Sequence, residues 1–151
     1  MVELDDLKSV LLLTYLKDPM LKKLAEITMI NAYQKGDYIF REGDQATHLY
    51  AIIDGKVGLE IEKDSSTRIL VETLPQGRTI GFSALVDTEE RKYTSSAKAM
   101  TDTKTFFWKA ADLEKLFDQD HELGLLFVKR IAKIIKTRLQ IRNIQFLDIY
   151  R

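Results

Sequence analysis

Cysteine is absent from this chain, which removes thiolate catalysis, iron–sulfur clusters and zinc ribbons together. Histidine is nearly absent. His48 and His121 are the two present, they fall in different predicted elements, and no carboxylate spacing around them suits a metal. Net charge is also missing: 23 bases balance 23 acids over 151 residues, so no overall field draws the protein toward nucleic acid or an anionic membrane. No apolar run is long enough to span a bilayer. The opening MVELDDLKSVLLL carries acids where a secretory signal carries bases, and it reads as an amphipathic helix packed on the body. A nucleophile motif is lacking too, because Ser95 and Ser96 have no histidine near them in sequence. With no convergent acid–base or metal set, the expectation is a protein that is not an enzyme. No repeat, low-complexity stretch or linker interrupts the chain, so residues 1–151 are expected to form one soluble, cytoplasmic domain without a membrane segment.

What is present comes in three blocks. Residues 1–28 read as helical, and Asp18-Pro19 looks like a helix start, with an acceptor for free amides followed by a fixed φ that suits the first turn. Leu21, Leu24, Ala25 and Thr28 follow at helical spacing. Residues 29–109 alternate with period two between turn signals: Gly36-Asp37, Gly43-Asp44, Asp54-Gly55, Asp64-Ser65-Ser66 and Pro75-Gln76-Gly77. Strands are predicted over Lys56–Glu62, with Val57, Leu59 and Ile61 on one face, and over Arg68–Thr73, Thr94–Met100 and Lys104–Lys109. Asp54-Gly55 predicts a tight hairpin. Phe106 and Trp108 are expected to face one way and Phe107 the other. Many short strands with regular turns predict a sandwich, barrel or jelly roll. Residues 110–151 return to helix, broken at 118–120, and from Val128 through Ala132, Ile135, Leu139, Phe146 and Ile149 a coiled-coil-like seam appears. Lys129 to Arg142 holds six bases and no acid; without a recognition helix this predicts a solvated face rather than direct nucleic-acid binding.

Two runs carry a family resemblance: Lys35-Gly36-Asp37 through Glu42-Gly43-Asp44, then His48-Leu49-Tyr50 through Asp54-Gly55-Lys56-Val57. Leu74-Pro75-Gln76-Gly77-Arg78-Thr79-Ile80-Gly81 continues them. Together they resemble the signature of the cyclic nucleotide-binding domain, over about residues 10–142, in the style of Crp/Fnr-type bacterial sensors. The resemblance implies an α+β, mainly β fold: an eight-stranded double-stranded β-helix, or jelly roll, with N-terminal helices and two C-terminal helices. It also implies a ligand in the roll that is sensed by the C-terminal pair, and a homodimer through the last helix. A Crp/Fnr regulator would continue into a helix-turn-helix where this chain stops at Arg151, so a sensory domain without its DNA-binding part and a ligand-free interaction scaffold remain alternative readings.

The family's phosphate-binding cassette holds its ligand with amides at the start of a short helix, an arginine for the phosphate and a glutamate for the ribose. Here the candidate cassette is Gly81, Phe82, Ser83, Ala84 and Leu85, followed by Arg91, Tyr93, Thr94 and Ser95. Gly81 and Leu85 match the pattern. Phe82 stands at the glutamate position and Tyr93 at the arginine position, so both specific contacts with cyclic AMP or cyclic GMP are replaced by rings. The amides around Ser83, Ala84 and Leu85 could still serve an anion, and Arg91, two residues before Tyr93, could reach the same side of an extended strand. No cofactor is expected other than a weakly held cyclic nucleotide or another small ligand.

Overall fold

The protein, seen in a computed structural model, is described over residues 2–86 and 90–150. Two helices open it, α1 (Leu4–Leu7) and α2 (Asp18–Glu26), with a short 3-10 turn at Leu11–Leu13 between them. Asp18 does not cap α2 as expected. Lys17 holds the capping place without a side-chain bond, and Asp18, already inside the first turn, lies 3.8 Å from Lys8. Pro19 fits that first turn, where an amide has no partner to lose.

Eight strands follow among the described residues: β1 (Met29–Tyr33), β2 (Tyr38–Phe40), β3 (His48–Asp54), β4 (Val57–Asp64), β5 (Thr67–Leu74), β6 (Thr79–Ile80), β7 (Ser96–Ala99) and β8 (Thr103–Lys109). They form two four-stranded antiparallel sheets, ordered β1-β8-β3-β6 and β2-β7-β4-β5. This is a jelly-roll arrangement flanked by N- and C-terminal helices, an α+β fold.

The Asp54-Gly55 turn is not a hairpin. β3 pairs with β6 and β8 while β4 pairs with β5 and β7, so the chain crosses from one sheet to the other there. Gly55 is required for two reasons. Its φ is +96°, and a Cβ would lie 2.6 Å from the Asp102 carbonyl oxygen. The hairpin lies one connection later, between β4 and β5, where Asp64 accepts from the amide and hydroxyl of Ser66.

The sheet ordered β1-β8-β3-β6 separates two cores. Its outer face, with Phe106 and Trp108, packs against Leu7, Leu12, Leu13, Leu24, Leu113, Leu123 and Phe127 of the helical segments. Trp108 is fully buried and donates its indole N–H to Thr28 Oγ1 at 2.7 Å, and Phe107 faces the other way, as alternation demands. Inside the roll Ile39, Phe40, Ile52, Val57, Leu59, Leu74, Ile80 and Tyr93 make the second core. The chain ends in α3 (Ala110–Gln119) and α4 (His121–Asp148). Asp120 breaks the two apart and caps α4, its carboxylate accepting from the Leu123 amide at 3.1 Å. Among the described residues no helix is long and apolar enough to cross a membrane.

Candidate functional site

β6 feeds directly into the candidate cassette. Its register against β3, with Ile80 opposite Tyr50 and Thr79 opposite Ala51, fixes where the following turn starts. Gly81 makes that turn with φ +88°, and a Cβ there would meet the His48 carbonyl oxygen at 3.1 Å and the Tyr93 ring at 3.4 Å. A 3-10 turn, Phe82–Ala84, follows. The Ala84 amide donates to the Gly81 carbonyl (3.1 Å) and the Leu85 amide to the Phe82 carbonyl (2.9 Å). Two of the three amides expected to serve an anion are therefore committed inside the turn.

The backbone of Tyr93 is held by exchange with Gly43 and Asp44 (2.9 and 3.0 Å), and its side chain points into the roll. The ring is buried and stacks on Phe40, with centroids 3.9 Å apart and planes 17° from parallel. Its hydroxyl donates to the His48 carbonyl at 2.7 Å and accepts from the His48 amide at 3.2 Å. Burial pushes the Tyr93 phenol up, and it pushes Tyr50 further still, with the Tyr93 charge adding to it. Arg91 does not reach Tyr93's side. Its guanidinium lies 3.3 Å from Glu114 of α3, because φ of +24° at Arg91 turns the loop out of the extended geometry that would have aligned it with Tyr93.

A groove of about 380 Å³ opens between this turn and α4. It brings together Gly81, Phe82, Ser83, Tyr93, Thr94 and Ser95 of the predicted set. Ala84 is buried beneath it in the roll core and Leu85 bridges both cores. The sequence reading missed the opposite wall, which is Ile135, Arg138, Leu139 and Arg142 of α4. Arg138 donates to the Thr79 carbonyl at 2.5 Å and lies 5.1 Å from the Phe82 ring centre. Arg142 stands 3.9 Å from Glu72, and Arg130 donates to the Leu11 carbonyl at 3.2 Å. The basic stretch of α4 is thus not simply a solvated face: three of its arginines tie the helix to the body. Burial lowers the Arg138 pKa; Glu72 opposes that, and Arg78 and Arg142 reinforce it.

His48 packs near the rings of Tyr50 and Phe107, and burial lowers its pKa. Ser96 Oγ accepts the Glu42 amide at 2.8 Å, a structural task. Among the described residues no cluster of potential metal ligands occurs.

The sequence model of one family, described as the cyclic nucleotide-binding domain, matches residues 30–120. Human cGMP-dependent protein kinase 2 is 33% identical over 86 residues, 56% of this chain and 11% of the kinase. The chain therefore spans about a ninth of that curated relative. Among solved structures, a cyclic nucleotide-binding domain from Methylobacillus flagellatus superposes with a TM-score of 0.81 at 17% identity, covering 95% of this chain and 80% of that one. The sensor domain of a transcriptional regulator from Pseudomonas aeruginosa gives 0.71 at 20% identity, covering 90% of each chain. At these identities both likenesses speak to the fold.

Proposed function

The chain belongs to the cyclic nucleotide-binding domain family, and from that membership we propose that it is a ligand-sensing regulatory domain whose groove binds cyclic AMP and cyclic GMP weakly or not at all. Its fold is the family's non-catalytic regulatory fold. The observation that carries the reading is Tyr93. At the place of the phosphate-binding arginine stands a ring that is stacked, buried and hydrogen-bonded to the His48 backbone.

Charge-assisted contacts of the kind lost here contribute about 1.5–3 kcal/mol each. Phe82 removes the ribose acceptor as well, which leaves a hydroxyl unpaired at about 1–3 kcal/mol. The middles of these ranges sum to about 4 kcal/mol, and with about a third of that lost to non-additivity the two together imply about a hundredfold weaker binding, since about 1.4 kcal/mol is a factor of ten. Calorimetry with cyclic AMP and cyclic GMP should give dissociation constants no tighter than the high micromolar range, and Arg91→Ala should leave them unchanged. Sub-micromolar binding of either nucleotide would overturn the reading.

The seam of α4 supports a second element of the proposal. The helix buries Leu123, Gly124, Phe127 and Ile131 against the body. Val128, Leu139, Phe146 and Ile149, on the predicted seam, remain more than half exposed. We infer that a second copy of the chain covers them, so that the sensing unit is a homodimer. A sensory role in a transcription regulator is compatible with this arrangement, as is a role inside a longer signalling protein.

A further inference from the structure

The groove has an uneven chemistry. One wall is carbon, with Phe82 and Val86 from the turn facing Ile135 and Leu139 from α4. Beside it lies a surplus of positive charge. Arg78 and Arg142 add their charge to that of Arg138, and Glu72, 3.9 Å from Arg142, opposes it; among the described residues no carboxylate forms an ion pair with Arg138. Its guanidinium is satisfied by a neutral acceptor, the Thr79 carbonyl. The bond to that carbonyl is charge-assisted on the donor side alone, whereas a carboxylate or phosphate takes the guanidinium fork with two parallel bonds and adds its own charge, so an anion entering the groove is a better partner than the one Arg138 now has. The volume, about 380 Å³, is that of a small-molecule pocket.

We propose that the groove binds a small amphipathic anion, with its apolar body against Phe82, Ile135 and Leu139 and its acidic head on the guanidinium groups of Arg138 and Arg142. This rests on reading the groove as the ligand site and names the class of ligand it takes. The cationic contact comes from α4 itself, not from the roll. Recognition of the head and displacement of the helix are then one event: Arg138 leaves the carbonyl of β6 for the ligand and releases the tie between β6 and α4.

Decanoate and its uncharged twin decanol test this by calorimetry on the whole chain. Decanoate should bind one per chain, with decanol at least about tenfold weaker. Arg138→Gln should weaken decanoate by about ten- to a hundredfold and leave decanol unchanged, while Lys129→Gln, off the groove, should alter neither. Should Arg138→Gln fail to fold by circular dichroism, Ser83→Asp makes the same test by placing a like charge on the opposite wall. Equal affinity for acid and alcohol, indifference to these substitutions, or no decanoate binding up to about 1 mM would overturn the proposal. So would co-sedimentation with phosphatidylglycerol vesicles without binding of free decanoate, which would point to a membrane surface. If decanoate fails and cyclic nucleotides also bind weakly, the ligand class alone falls; tight cyclic AMP binding would strike down the weak-nucleotide reading as well.

Discussion

At the scale of single residues the fold turns on Tyr93. Its phenol and that of Tyr50 are both pushed upward, by burial first. A phenol whose folded pKa exceeds its unfolded value near 10 binds its proton more tightly in the native state. Its contribution to stability is complete below about pH 10 and is lost as pH rises toward the folded value. An ultraviolet titration should therefore show two of the six tyrosines ionising late and together with the loss of secondary structure. If every tyrosine ionises while the circular dichroism of the folded protein is still intact, these two rings do not sit where described. Tyr93→Phe should remove one late ionisation and cost about 1–2 kcal/mol, because it leaves the His48 amide and carbonyl without the hydroxyl they share. The family resemblance puts a ring where an arginine is expected. It could not show what the hydroxyl does, since its partner is backbone 45 residues away. Arg138 was hidden for a related reason: a base in a run of bases reads as solvated until the side of the helix that meets the roll is known.

Among the elements, strand and helix positions were legible because period and punctuation agree. The alternation beginning at Met29 and the helical stripe resuming at Ala110 coincide with β1 and α3. Pairing was less legible. Asp-Gly between two strands is the composition of a hairpin, yet Asp54-Gly55 carries the chain between sheets, a distinction made by Asp102 and Thr103, which approach from β8's end of the roll. This gives a comparison between glycines of the same backbone conformation. Gly36, with φ +95°, has nothing within 4 Å of a built Cβ, whereas Gly55, with φ +96°, has backbone at 2.6 Å. Gly36→Ala should cost about 1 kcal/mol, the strain of a left-handed residue with a side chain. Gly55→Ala should cost about 3 kcal/mol or more, since the crossing must also shift. Denaturant unfolding of the two variants measures the difference, and equal losses would remove the crowding argument.

At the scale of the whole molecule, a long apolar surface stays exposed among the described residues, and it lies on the element that also walls the groove. Ile135 and Leu139 belong both to the seam and to the groove lining. The protein is expected to be a homodimer at micromolar concentration by light scattering, and Leu139→Glu should make it monomeric. A wild type that stays monomeric across that range would refute the pairing. With two residues shared, an occupied groove should shift the dimer equilibrium, and an obligatory dimer should alter the affinity of the groove.

The crossing of the chain between sheets also governs the order in which the protein can be made. Among the described residues β1 finds its pairing partner in β8 alone, Met29 opposite Phe107 and Tyr33 opposite Thr103. During synthesis at about 5–20 residues per second, β1 waits roughly 4–14 seconds for the partner it pairs with in the finished sheet. Neither sheet is complete before β7 and β8 emerge, because each sheet takes strands from both halves of the roll. Pairings this distant make closure slow compared with helix formation. A ribosome-bound chain halted before residue 103 thus carries α2 and an open β1 edge with no sheet to receive it, and that interval is when the nascent protein is most open to aggregation.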